Sequence, residues 1–399
     1  MRHGPFEVVR DKNPYFQLSP KFPGVAMSTC AKTRRIVWQS LLFLPLGLLL
    51  TKSAPADPAS LIARIERLPR AQRLPAYDAA LADPGLAPAD RPAVLKAFAR
   101  HAQQVSPLYG KAKAAWDERS WAAALEAGLD SARPDVDVAI ALAQILVDAN
   151  ERRRAIPVVS AFKSAFPSHH YALAWSEWCN APGRAEDASR LPTFPLHFCV
   201  LTRNPEAQRV ATRAQCQKEC EILNSTFRAL DGAPLVRFEL KGYTPFVALR
   251  NSSSELLRYG DGTRFDSDSV AKVFNACRDP LVRDPGAINI YVFDSFERQG
   301  DADVTSHGKR NSNRPYVFLD WQRLDNRTQN AEAHEMGHAF GLEHVGVPGA
   351  GLQDSTNIMT SAGEGFGSGG RRDLGFSPAQ IAIIRYHAGR TATRLGLRK

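Results

Sequence analysis

His334, Glu335, His338, Gly341 and His344 fall within eleven consecutive residues, HEMGHAFGLEH, and their types and spacing define a chemistry. On a helix, residues four apart differ by about 40° of rotation and ~6 Å of rise, so His334 and His338 leave the same face and can share one ion. Glu335, beside the first histidine, then points toward whatever that ion holds. Gly341, three residues past the second histidine, suits the left-handed turn that ends a helix and swings His344 back as a third ligand. Three neutral imidazoles with no fourth protein ligand make an open zinc site, with one position left for water; structural zinc sites are closed and usually rich in cysteine. Helical histidines are more often surface or core residues than ligands. Here three of the chain's 10 histidines stand in register with a glutamate and a glycine, which favours the metal.

A second element lies fifteen residues beyond His344, in the stretch Asn357, Ile358, Met359, Thr360. Met336 and Met359 are the only methionines beyond the N-terminal segment. Together the HExxHxxGxxH run and this methionine turn resemble the metzincin clan of zinc endopeptidases. The resemblance covers roughly 331–385, where Phe376, Ser377, Pro378, Ala379 and Gln380 look like the start of that clan's C-terminal helix. It implies Zn2+ held by His334, His338 and His344, Glu335 as general base, and Met359 as an apolar floor under the histidines. It also implies a protein or peptide substrate that adds to an exposed strand edge. Thr360 stands where some families carry a tyrosine that assists at the metal, so no such role is carried over.

The elements that must hold these residues are read from periodicity. Alternation and β-branched content predict strands at 196–202, 235–240, 288–293 and 315–321, the last directly before the motif helix, and a helix over 205–230. The expected fold class is α+β, a metzincin-like catalytic domain with a mixed sheet above the zinc-binding helix, preceded by an all-α module. That module, 57–178, is rich in Ala, Leu and Arg, with helices expected near 90–104, 110–128, 136–149 and 153–166. Pro134 and Pro167, 33 residues apart, hint at tetratricopeptide-like hairpins, but three clear repeats are wanted for a solenoid and a plain irregular bundle is the favoured reading. A linker is expected at 179–195, followed by the catalytic domain at 196–399.

Residues 1–56 hold eight of the basic and two of the acidic residues, so most of the net charge of +10 lies there. The remainder is too mildly charged to imply nucleic acid. Met27, three basic residues and an apolar run over 36–50 ending at Ala54, Pro55, Ala56 read as a cleaved signal peptide, too short for a stable membrane span. The protein is therefore expected to be secreted or periplasmic. There the five later cysteines can pair, with bridges from Cys216 and Cys220 to Cys199 and Cys277 and with Cys179 as the odd thiol. A pro-region thiolate at Cys179 would block the metal and keep the enzyme latent, and the helical module would otherwise serve a protein partner. Asp301 and Asp303 are weak candidates for calcium. Two other readings stand beside the endopeptidase: a helical-repeat binding protein with a non-catalytic metal domain, and a zinc amidase acting on cell-wall peptides.

Overall fold

The computed structural model of the chain describes residues 57–98, 136–181, 191–249, 268–293, 306–345, 350–361 and 368–397, apart from isolated positions in the first and third spans. The segment read as a signal peptide, the helix expected at 110–128, Asp301, Asp303 and most of the glycine-rich run at 363–370 lie outside the described residues. Among the described residues no helix is long and apolar enough to cross a membrane.

The first described elements are helices: α1 (Pro58–Glu66), α2 (Arg70–Ala82), α3 (Val136–Asp148), α4 (Arg152–Ala165) and α5 (His170–Asn180). Asp57 starts α1, its carboxylate accepting from the Ala59 N–H, with Pro58 in the first turn where a missing N–H costs nothing. In α3 the residues from Val138 to Val147, Gln144 apart, are buried, and a helix apolar on every side must lie inside the protein. α4 packs between α3 and α5.

After β1 (Thr193–Val200) come α6 (Pro205–Val210), α7 (Arg213–Thr226), β2 (Arg237–Thr244), α8 (Asp268–Ala276), β3 (Ile288–Phe293), β4 (Ser306–Lys309) and β5 (Tyr316–Asp320). The motif helix α9 (Ala331–Ala339), a short parallel pair β6 (Ser355–Thr356) and β7 (Arg371–Arg372), and α10 (Pro378–Arg394) complete the chain. The single helix expected over 205–230 is broken. Tyr243 donates its hydroxyl hydrogen to the Ala211 carbonyl at 2.8 Å, and the Thr212 hydroxyl caps α7 by accepting from the Gln215 N–H.

The result is a mixed α/β architecture with a five-stranded mixed sheet of order β2-β1-β3-β5-β4, the first four strands parallel and β4 antiparallel on the edge. β1, β3 and β5 are covered on both faces and read as nearly continuous apolar runs. Alternation assigns the faces. Phe198, Ile290 and Val317 join a core with Ala333 and Met336 of α9, while Cys199, Tyr291 and Phe318 join a second core with Phe274 of α8. The larger core is continuous with α3, α4 and α5, and α10 packs on α3 and α5. Trp175 is fully buried there and donates its indole N–H to the Ala379 carbonyl at 3.1 Å. Each such side chain contributes roughly 1.5–3 kcal/mol relative to leaving it exposed.

The cysteines correct the expected bridges. Cys216 and Cys220 belong to the core on one face of the sheet, Cys199 and Cys277 to that on the other, and all five described cysteines are free. A disulfide needs Cα atoms within about 7 Å, which two opposite sheet faces do not offer.

Candidate metal centre

Three devices define the helix that carries the motif. Asn330, in the left-handed region at φ 42°, turns the chain into α9, and its side chain is tied to the Arg372 carbonyl at 2.6 Å. Gly341, at φ +86°, closes the helix as its position predicts: the Gly341 N–H bonds to the His338 carbonyl at 2.8 Å and the Leu342 N–H to the Gly337 carbonyl at 3.0 Å. A Cβ on Gly341 would also press on His387 of α10 at 3.0 Å and on Arg310 at 3.1 Å. At Gly308 of β4, a Cβ would overlap the Glu335 carbonyl oxygen, so edge strand and motif helix lie backbone against backbone.

The turn brings His344 back onto the helix face. The Nε2 atoms of His334, His338 and His344 form a triangle with edges of 3.1, 3.2 and 3.0 Å. His334 Nδ1 lies 2.8 Å from the Ile358 carbonyl and His338 Nδ1 2.6 Å from the Leu342 carbonyl. A carbonyl only accepts, so both Nδ1 atoms carry hydrogen and both Nε2 lone pairs face inward. Lone pairs converging at such distances repel unless a cation lies between them. Tetrahedral zinc with nitrogen ligands at 2.0–2.1 Å requires nitrogen–nitrogen edges of about 3.3 Å, so the triangle fits a metal of that size. Among the described residues these three form the one cluster of His, Cys, Asp or Glu atoms able to hold an ion.

Electrostatics keep the imidazoles in their ligand form. Burial, then the Arg372 charge and the other two imidazoles, hold His334 well below the ordinary histidine range. Burial, then His344, brings His338 down to about 3. Glu335 is pushed up to about 7 by burial, against the opposing pull of Arg372, Arg323 and the Gly308 N–H. Arg372, a residue that sequence reasoning did not single out, is 6% exposed. It donates from Nε to the Thr360 carbonyl and from Nη1 to the Gln329 carbonyl, each at 2.9 Å, tying the entrance of α9 to the methionine turn.

Met359 is fully buried beneath α9, with its sulfur so close to Gly337 that a Cβ there would overlap it. The turn is fixed from both sides. The Met359 N–H donates to Asn357 Oδ1 at 2.9 Å, and Asn357 pairs with Gln380 of α10 through bonds of 2.7 and 3.1 Å. The Val345 N–H bonds to the Met359 carbonyl at 2.9 Å, so the candidate ligand His344 precedes a residue stitched to the floor. Gly337 carried no signal in the sequence beyond being a glycine between two ligands.

Cys179 lies outside the ligand cluster, and burial raises its thiol above the ordinary range, which disfavours the thiolate that latency would need.

No protein-family model, curated protein or solved structure matches this chain.

Proposed function

We propose that the chain is a metzincin-like zinc endopeptidase, exported by its N-terminal segment and acting on proteins or peptides. The reading is carried by the converging Nε2 triangle with Glu335 beside it. His334, His338 and His344 would hold the ion through Nε2. When bound, zinc supplies a Lewis acid that polarises the scissile carbonyl and lowers the pKa of a water toward ~7. Glu335 takes the proton of the attacking water on a carboxylate oxygen and delivers it to the departing amine nitrogen. Arg372 favours the ionised form of that carboxylate against its burial. β4 is an outer strand of the sheet and lies against α9, so an extended substrate pairing with it would lie beside the three histidines.

The test is cleavage of casein by the purified protein, its loss with a chelator, and its return with added zinc. Cleavage of cell-wall peptides with casein untouched would assign the amidase instead. Bound zinc without turnover of either substrate would leave a binding protein.

A further inference from the structure

The third ligand is the exposed one of the three, and it sits on irregular chain, so something must fix the backbone that carries it. The anchors on either side are known: Gly341 and Leu342 bond back to α9, and Val345 bonds to Met359. Between them, the N–H of Glu343, the residue immediately before His344, donates to the hydroxyl of Tyr171 at 3.0 Å. Tyr171 lies on α5, about 170 residues away in sequence, and is 5% exposed.

Its ring cannot drift. It packs edge-on against His170 at 4.5 Å between centroids and tilted against Trp175 at 5.3 Å. His170 Nδ1 meets His387 Nε2 of α10 at 3.0 Å, and His387 Nδ1 meets Asn313 Oδ1 at 3.1 Å. An asparagine Oδ1 only accepts, so His387 donates from Nδ1 and His170 donates to it. The same His387 ring lies where a side chain on Gly341 would go. α5 and α10 thus close around the segment from Gly341 to Val345.

We infer that, if the three histidines hold zinc as proposed above, Tyr171 is a positioning residue for the metal centre. Its hydroxyl fixes the Leu342–Glu343 peptide unit, one residue before His344, and so aims that imidazole at the shared point. The helices before the sheet are then part of the working metal centre. They are not a pro-region to be removed, and release of α5 would cost the third ligand its alignment.

The experiment compares zinc affinity, by competition with a chromophoric chelator, in the full chain and in two variants, with zinc alone as the probe. Tyr171→Phe removes the hydroxyl and keeps the ring. Trp175→Phe alters the same helix and the same aromatic contact, but loses a bond to Ala379 and none to the ligand segment. Partners that orient metal ligands typically account for 10–100-fold in affinity. Tyr171→Phe is expected to bind zinc 10–100-fold more weakly with the metal-free melting temperature nearly unchanged, while Trp175→Phe keeps wild-type affinity. Wild-type affinity in Tyr171→Phe overturns the inference, as does equal weakening in both variants, which would mark a general loss of packing. If the wild type binds zinc no better than His338→Ala, the metal reading itself falls, and it falls before either α5 variant is compared.

Discussion

Gly337 inside the motif helix and Gly308 on the strand against it are both tightly packed, and adding one methyl group to each should have different consequences. At Gly308 the added Cβ meets the Glu335 carbonyl oxygen and carbon, and the side chain of His338 at 3.0 Å. Backbone atoms inside a helix cannot rotate away, so β4 itself must shift. At Gly337 the added Cβ meets the Met359 sulfur, its terminal methyl at 3.2 Å and Leu342 at 3.6 Å, all side-chain atoms. Overpacking costs about 1–3 kcal/mol, more where nothing yields. Against this, Ala gains about 1 kcal/mol over Gly in a helix interior and roughly 0.5–1 kcal/mol in a strand. Gly337→Ala should therefore net about 0–2 kcal/mol of destabilisation, and Gly308→Ala about 2 kcal/mol or more. The origins can be separated by shortening the methionine. Met359→Ala alone should cost about 2–5 kcal/mol through its cavity. The Gly337→Ala/Met359→Ala pair should cost at least ~1 kcal/mol less than the sum, because the new methyl enters the space the sulfur leaves. No such relief is expected when Met359→Ala is combined with Gly308→Ala. Urea unfolding of the metal-free proteins measures all five, and zinc titration reports whether the ligands stay aligned. A Gly308→Ala protein as stable as wild type, or additive behaviour in the Gly337/Met359 cycle, would refute this account of how strand, helix and floor fit together.

Glu335→Ala should lower casein cleavage by ~10² to 10⁴-fold while zinc content stays near one per chain; activity close to wild type would mean that another group moves the proton. His338→Ala should abolish stoichiometric zinc, measured by metal analysis on protein never exposed to acid or chelator, and unchanged content would remove the ligand assignment. Stripping zinc should lower the melting temperature by several degrees, since a ligand present at 1,000 times its Kd stabilises by about 4 kcal/mol; calorimetry with and without chelator checks it, and coincident melts would contradict it. Asp148 caps α10 from α3 by accepting from the Ala379 N–H, and burial raises its carboxyl to about 6. A raised carboxyl favours the folded state below its unfolded value and loses that contribution as pH rises toward 6, an effect of roughly 3 kcal/mol. Asp148→Asn should flatten the stability profile between about pH 4 and 6, and a profile parallel to wild type would place the slope elsewhere.

What could be read from the sequence was what is settled locally. The i and i+4 histidines and the left-handed glycine depend on one helix and its end, and the observed turn at Gly341 follows the expected one. The strand Ile288–Phe293 matches its expected bounds because five of its six residues are β-branched or aromatic, and such a run has little choice inside a parallel sheet. By contrast, β4 reads Ser-His-Gly-Lys, with no strand signal, and it is a strand because β5 offers it hydrogen bonds. Helix α5 was not singled out, and His170, Tyr171 and Trp175 carry no mark of their roles until α10 and the Gly341–Val345 segment lie beside them. The cysteines failed for a related reason: period-two alternation says that Cys199 faces away from Phe198, but not which face α7 covers.

The division follows how a metal site is specified. The motif supplies three imidazoles, but an imidazole is a ligand only if its other nitrogen is held in the right tautomer and the ring is aimed. For His334 that hold comes from the Ile358 carbonyl, 24 residues on, and for His338 from the Leu342 carbonyl across the glycine turn. For His344 the Leu342–Glu343 peptide, one residue back, is held by a tyrosine in another part of the chain. A sequence could keep every histidine of HEMGHAFGLEH and lose the triangle through Asn357, Gln380 or Tyr171, because those residues decide where Ile358, Met359 and Glu343 lie. Ligand identity is therefore a local property of this chain. Ligand alignment belongs to the fold, and it is in alignment that a bound ion becomes either a structural weight or a site able to do chemistry.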